Sequence, residues 1–177
     1  MLRKFIFYST LISLILSVVG IVLMLKKPLV PPVEASAAAL KSCEDKLANL
    51  VQAQQQGTPT EVRLTSEELN SEIQKSIAGA PQPPGAARLK EATVYMQGDQ
   101  LVGVFDVEMK GVDLYLTVRG GLTLSQHAAR LLPDQVKLGS LPVPVSWLEG
   151  KLNMETPVPD FVTGLRIENG EMVVQAQ

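Results

Sequence analysis

Few side chains in this 177-residue chain have the chemistry of a catalytic or metal site. The sequence contains one histidine, His127, and one cysteine, Cys43. Zinc sites and Cys-His or Ser-His-Asp catalytic groups need several such residues close together, so the sequence lacks their parts. A single cysteine also excludes an internal disulfide. We therefore predict no catalytic residue, no metal site and no cofactor, and hence no enzyme.

The densest group of carboxylates falls on two hairpins whose register can be read from the sequence. Gly98-Asp99 and Lys110-Gly111 are two-residue turns between alternating runs, so positions equidistant from each turn face one another. Glu108 then lies opposite Asp113, with Asp106 on the same face. These carboxylates could bind calcium or act as acid and base, but no loop with calcium-ligand spacing surrounds them. A solvated polar face is the favoured interpretation.

The other face of this predicted meander is apolar. The register pairs Met96 with Leu101, Val94 with Gly103, Ala92 with Phe105, Met109 with Val112, Val107 with Leu114, Phe105 with Leu116 and Gly103 with Val118. Because uncovered apolar surface costs ~25 cal/mol per Å² in water, this face must be covered by the curvature of the sheet, by a helix or by an apolar ligand.

A groove for an apolar ligand on this face is our candidate site. Its predicted lining consists of Val94, Gly103, Phe105, Leu114 and Leu116, with Trp147 at the rim. The glycine leaves a low spot in the middle of the face. A core closed by the protein itself is the alternative interpretation and the commoner outcome, since an apolar stripe is usually part of a core.

Two helices are predicted before the meander. Ser36 caps the first, which runs to about Gln54 and has apolar residues at three- and four-residue steps. This helix either packs on the domain or forms a short coiled coil, and fewer than three heptads favour packing. Thr65 and Glu68 form a capping box at the start of the second helix, which ends near Ala78.

The remainder of the chain predicts further strands. Ser125 is expected to cap a brief helix over residues 126–132, and Pro142 and Pro144 mark an edge segment because proline cannot donate to a ladder. Asn169-Gly170 is the strongest short hairpin signal. We predict an α+β fold: a single N-terminal transmembrane helix, then one curved antiparallel sheet with one or two helices packed on its concave face.

The transmembrane helix is predicted from residues 5–25, which carry no charge and are flanked by Arg3-Lys4 and Lys26-Lys27. As a helix they would span ~31 Å, close to the thickness of a bilayer's hydrocarbon core. A cleaved signal peptide is the alternative, but its apolar core would be shorter, with a cleavage site directly behind it. The nearest such site, Ala35-Ser36-Ala37, lies beyond a proline-rich stretch, so a retained anchor is favoured.

These features divide the chain into three parts. Residues 1–27 form the anchor, residues 28–59 a proline riser, an amphipathic helix and a Gln-rich linker, and residues 60–177 the α+β domain. Basic residues on both sides of the span leave the orientation undecided. The short N-terminal tail favours a single-pass protein of the cell membrane with the bulk of its chain outside the cytoplasm.

Charge restricts the partners. Residues 28–177 contain 12 basic and 18 acidic side chains, a net charge of −6. Such a domain repels phosphate backbones and lacks the basic stripe that nucleic acids require, so we predict no nucleic-acid partner. A protein partner is left open.

Several segments resemble a known family. They are LTSEELN at residues 64–70, VRGGLTL at 118–124, KLGSLPVP at 137–144 and PDFV at 159–162. Their order after an N-terminal span resembles the YpmS-like group of membrane-anchored bacterial proteins. It is similar, more distantly, to LmeA-type phospholipid-binding proteins, which have a tubular lipid-binding fold. The resemblance implies an extracytoplasmic domain with an apolar groove for lipid and supplies no catalytic residue.

Two functions of different classes follow. The first is a membrane-tethered, non-catalytic domain that binds lipid or another apolar molecule at the membrane surface. The alternative is a structural or scaffolding subunit of an envelope protein complex, with a closed core and no ligand.

Overall fold

A computed structural model describes residues 16–79, 88–125, 128–147 and 155–177. The helices in these ranges are α1 (residues 16–25), α2 (Ala37–Gln55) and α3 (Ser66–Gly79). The strands are β1 (Thr60–Leu64), β2 (Arg88–Gln97), β3 (Gln100–Met109), β4 (Val112–Ser125), β5 (Ala128–Leu138), β6 (Leu141–Val143), β7 (Glu155–Pro157), β8 (Val162–Glu168) and β9 (Glu171–Ala176). A 3-10 turn, η1, follows β6 at Val145–Trp147.

The larger sheet has the order β2-β3-β4-β5-β6, and β7 also pairs with β5. Its first three strands have the predicted register, with Phe105 opposite both Ala92 and Leu116. The second turn adopts positive φ at Lys110 (53°) and Gly111 (79°), as a two-residue hairpin of this type requires. The predicted meander is therefore confirmed.

The smaller sheet has the order β1-β9-β8. Its hairpin turns at Asn169 and Gly170, both with positive φ, and pairs Leu165 with Val174 and Ile167 with Met172. The predicted C-terminal hairpin is confirmed.

The predicted fold class is wrong in two respects. The domain has two sheets instead of one curved sheet, because β1 pairs with β9 and not with the meander. In the part of the chain that the structure describes, no helix is long and apolar enough to cross a membrane, so the transmembrane helix predicted over residues 5–25 is not found. Residues 5–15 lie outside the described ranges.

The helix predicted over residues 126–132 is also wrong. From Ala128 onward this segment is strand β5, which pairs with the second half of β4, while residues 126 and 127 lie outside the described ranges. Pro133 is accommodated because it lies beside a register shift between Arg119 and Gly120, where the ladder is interrupted.

Two clusters of buried apolar residues can be distinguished in the part of the chain that the structure describes. The first lies between the smaller sheet and α2, and contains Cys43, Leu50, Leu64, Val162, Val174 and Ala176. The second lies on the larger sheet, where Val118 and Val136 are buried among half-buried neighbours. Strand β4 joins the two clusters, because Val118 belongs to the second and Leu124 packs against the first.

Candidate functional site

The apolar face of the larger sheet carries the predicted groove residues. Val94 is buried, whereas Phe105, Leu114 and Leu116 are half-buried. Phe105 and Leu116 pack against the cluster of Val118 and Val136. The structure therefore places these residues on one face, with the centre of the face packed and its margin partly open to solvent.

The predicted low spot at Gly103 is covered by an aromatic ring. A Cβ atom built on this glycine would lie 2.9 Å from Cε2 and 3.0 Å from Cζ of Phe105. The surface at the middle of the apolar face is thus the Phe105 ring, not an open hollow. An apolar ligand would lie along the face and over this ring.

The apolar face becomes more exposed toward the turn between β3 and β4. Val107 pairs with Leu114 and both are half-buried, whereas the next pair, Met109 and Val112, is 46% and 45% exposed. The predicted rim residue, Trp147, ends η1, but its side chain lies outside the described part of the structure.

The opposite face of the larger sheet is covered by the chain between α1 and α2. We call residues 26–36 the strap. It is extended and lines clefts together with Val104 and its neighbours on β2 to β4. Val102 and Val104 are only 3% and 7% exposed, although their face is otherwise polar. The alternating pattern does not account for two apolar residues on this polar face. The strap does, because it covers both valines.

A cleft of about 390 Å³ lies between the start of the strap and the larger sheet. We call it the basic cleft, because Lys26, Lys27, Arg119 and Lys137 line it and none of its described lining residues is acidic. The adjoining cleft, about 400 Å³, shares Lys27 with the basic cleft, but its other charged lining residues are Glu34, Glu91 and Asp106. The covered face is therefore basic at one end and acidic at the other.

The predicted carboxylate cluster forms no metal site in the described ranges. Glu108 faces Asp113 as the register predicts, but Asp113 accepts a hydrogen bond from Lys90 Nζ at 3.0 Å. No group of three or more histidine, cysteine, aspartate or glutamate residues among the described residues could hold a metal ion. The face is polar as predicted, but it is not fully solvated, because the strap lies beside Asp106 and its Oδ1 atom is buried without a hydrogen-bond partner in the described structure.

The structure describes Cys43, one of the two residues that could take part in nucleophilic or metal chemistry, but not His127. Cys43 is 1% exposed in the first cluster, and burial together with the nearby carboxylates of Glu72 and Glu68 raises the pKa of its thiol above the ordinary value. A thiol with such a pKa stays protonated and is a poor nucleophile. His127 lies outside the described ranges.

A row of polar side chains on α3, which sequence reasoning missed, covers the edge of the larger sheet. Ser66, Asn70 and Gln74 recur every four residues and bond to the free edge of β2. Asn70 donates to the carbonyl of Val94 and accepts from its amide at 2.7 Å. Ser66 Oγ accepts from the Met96 amide at 3.2 Å, and Gln74 donates to the Ala92 carbonyl at 3.0 Å. The four-residue spacing of these polar residues was the available signal.

Comparison of the chain with protein-family models, with curated proteins and with solved structures finds no match. The resemblance to YpmS-like and LmeA-type proteins therefore stays a prediction.

Proposed function

We propose that this domain is a non-catalytic module that binds the acyl chain of a lipid, or another apolar molecule, on the apolar face of its larger sheet. The observation that carries the proposal is the exposure of that face. Its outer row runs from the half-buried pair of Phe105 and Leu116 to Met109 and Val112, which are 46% and 45% exposed.

The hydrophobic effect supplies the driving force. An acyl chain lying along the face would remove surface of both partners from water at ~25 cal/mol per Å², so roughly 200 Å² corresponds to about 5 kcal/mol. Because the Phe105 ring covers Gly103, the chain would lie in a shallow channel on the surface and remain open on one side. Binding of this kind is selective for apolar length and not for the shape of a headgroup.

Native mass spectrometry of the full chain, purified from cells, and titration with a fluorescent fatty acid test the proposal. Leu114→Gln places an amide between the packed centre of the face and its exposed margin, and should weaken fatty-acid binding by about tenfold, equivalent to ~1.4 kcal/mol. Leu132→Gln is the matched control, since Leu132 is 49% exposed and pairs with Gly121, away from the apolar face. Absence of both copurified lipid and fatty-acid uptake in the unmodified protein would contradict the proposal.

A second candidate is a structural subunit of an envelope complex. It is favoured by the packing of Phe105 and Leu116 against Val118 and Val136, which closes the centre of the face without a ligand. In that case Met109 and Val112 would contact another protein. Retention of a protein partner by the unmodified chain but not by Leu114→Gln, with no lipid in either, would support this function.

The proposed site of action is the membrane surface outside the cytoplasm. Protease added to intact spheroplasts should then degrade the domain while sparing a cytoplasmic control protein. Protection of the domain would place it on the other side.

A further inference from the structure

The basic cleft lies on the opposite side of the larger sheet from the apolar face and is lined by cations from two directions. Arg119 and Lys137 project from the central strands β4 and β5, and Lys26 and Lys27 come from the strap above them. None of the described lining residues carries a negative charge. Four cations with no carboxylate among them produce a locally positive potential in a domain whose net charge is negative.

The strand register fixes the backbone spacing of the two cations on the sheet, and a hydrogen bond orients the side chain of Arg119. Thr117 pairs with Lys137 and Arg119 pairs with Gln135, so Arg119 and Lys137 are diagonal neighbours on adjacent strands, ~7–8 Å apart at the backbone. Arg119 Nε donates to Gln100 Oε1, and the amide of Gln100 donates in turn to Asp134. This relay orients the guanidinium and leaves its two terminal nitrogens without a hydrogen bond in the described part of the protein.

The lysines of the cleft are not neutralised by neighbouring carboxylates. Among the described residues, Lys26, Lys27 and Lys137 form no ion pair. Lys27 Nζ lies 5.8 Å from the centroid of the Tyr115 ring, and this contact holds it over the sheet. The ammonium groups of Lys26 and Lys137 are therefore available to a ligand, and Lys27 lies at the boundary between the basic cleft and the adjoining cleft, which Tyr115 also lines.

A hydroxyl in the cleft supplies an independent observation. Thr117 lines the cleft, and its Oγ1 atom is buried without a hydrogen-bond partner in the described structure. A buried hydroxyl without a partner costs free energy, and nearly all such groups are paired with protein atoms or ordered water, so an unpaired one indicates a bound water or ion nearby. Thr117 lies directly opposite Lys137 and two residues before Arg119 on the same strand.

We infer that the basic cleft binds a phosphate group. Guanidinium and ammonium donors together match the several acceptor oxygens of a phosphate and form charge-assisted hydrogen bonds with them. The volume of about 390 Å³ is in the range of small-molecule pockets, ~300–1,000 Å³, and leaves room for a substituent on the phosphate. The net negative charge of the domain is no obstacle, because salt screens distant charges beyond ~8 Å.

A soluble phosphate ester and the headgroup of an anionic phospholipid share this chemistry. The full chain, kept in solution with an uncharged detergent, is titrated with glycerol 3-phosphate and binding is followed by calorimetry. Lys137→Gln and Arg119→Gln should each weaken binding at least tenfold. Lys41→Gln removes the same charge from the exposed side of α2 and should change the affinity less than twofold. Lys137 makes no hydrogen bond in the described residues, so its variant remains informative if Arg119→Gln disturbs the fold.

Vesicles of phosphatidylcholine, with and without phosphatidylglycerol, separate the two sources. Binding that requires phosphatidylglycerol, falls in Lys137→Gln and is competed by glycerol 3-phosphate assigns a phospholipid headgroup. If the protein binds glycerol 3-phosphate but shows no preference for vesicles that contain phosphatidylglycerol, the ligand is a soluble phosphate ester. Equal weakening by Lys41→Gln and Lys137→Gln, or no binding in either arm, overturns the inference. Leu114→Gln should leave phosphate binding unchanged, so this result is independent of the apolar face.

Discussion

Glu68 is a buried side chain that links α3 to α2. It is 5% exposed, and its carboxylate accepts hydrogen bonds from Ser42 Oγ at 2.5 Å, from Lys46 Nζ at 2.9 Å and from the Thr65 amide at 2.8 Å. The Thr65 bond is half of the predicted capping box, which the return bond from the Glu68 amide to Thr65 Oγ1 completes. One residue thus caps its own helix and binds the neighbouring one.

The pKa of Glu68 reflects this environment. Burial alone would raise the pKa of the carboxyl, but the hydrogen bonds from Lys46, Ser42 and the Thr65 amide outweigh burial and hold it below the ordinary value of 4.5. A lowered folded-state pKa means that Glu68 stabilises the fold fully above the unfolded-state pKa. This stabilisation is lost as the pH falls from that value through the folded-state pKa.

Glu68→Gln should therefore destabilise the protein most near neutral pH. We expect a loss of about 1–3 kcal/mol in the free energy of unfolding there, because Lys46 loses its charged partner, and a smaller loss at about pH 3. Urea unfolding at the two pH values measures the difference. Glu67→Gln, at an exposed position of the same helical turn, is the control. Equal losses for Glu68→Gln at both pH values would contradict the assignment.

Gly120 and Gly121 form a matched pair that tests the bend in β4. A Cβ atom on Gly120 would lie 2.2 Å from the Leu132 carbonyl oxygen, whereas one on Gly121 would meet nothing within 4 Å. Gly120→Ala should lower the free energy of unfolding by about 1–3 kcal/mol through this backbone clash. Gly121→Ala should change it much less. Equal effects in thermal unfolding would show that the close approach is not what selects glycine at residue 120.

At the scale of elements, α3 takes the place of a neighbouring strand beside β2. Its row of Ser66, Asn70 and Gln74 bonds to backbone groups that would otherwise form an open sheet edge. Open edges promote pairing with other chains, and native proteins cover them. The same helix contributes only Leu69 to the first cluster, so its polar side is as important for its position as its apolar side.

Asn70→Leu tests the helix as an edge cover. The substitution keeps side-chain bulk but leaves the amide and carbonyl of Val94 unpaired, so the free energy of unfolding should fall by about 2–5 kcal/mol. Hydrogen exchange at the Val94 amide should accelerate accordingly. Gln74→Leu removes one bond at a half-buried position and should cost less. A larger loss for Gln74→Leu would contradict the proposed arrangement.

Turn and capping residues correctly predicted the hairpins and helix starts, because these features depend on residues that are close together in the sequence. The two-residue turns determined the register of β2 to β4, and Ser36, Thr65 and Glu68 identified the starts of α2 and α3. The Ser125 segment failed because its capping signal competed with pairing along β4, which is a long-range interaction. The helix propensity of seven residues is a small energetic preference, and a complete ladder of backbone hydrogen bonds outweighs it.

The candidate site was predictable only in part, because it too depends on contacts between residues that are distant in the sequence. The alternating pattern placed Phe105, Leu114 and Leu116 on one face, but it contained no information about the rotamer that puts the Phe105 ring over Gly103. The start of residues 28–59 was predicted only as a proline riser, with no contact to the sheet, whereas the strap lies across the sheet over Val102 and Val104. The basic cleft was missed because its four cations come from three segments distant in sequence.

At the scale of the whole molecule, β4 is the connection between two small cores. Its first half belongs to the larger sheet, and its second half lies against β8 of the smaller sheet. Neither cluster is large, so each depends on the other for stability. Because Leu124 packs against the first cluster and Val118 is buried in the second, we expect the described regions to unfold as one cooperative unit.

Leu124→Ala should uncouple the two sheets. Loss of the half-buried side chain should cost about 2 kcal/mol, at the lower end of the range for leucine truncation, and should weaken the smaller sheet first. In the unmodified protein the amides of Val118 and Val173 should exchange hydrogen with the same free energy of opening, whereas in the variant Val173 should exchange faster. Leu122→Ala, two residues earlier on the same face of β4 and also half-buried, is the control and should preserve equal exchange. Different opening free energies at Val118 and Val173 in the unmodified protein would mean that the two sheets unfold separately, and the role assigned to β4 would be wrong.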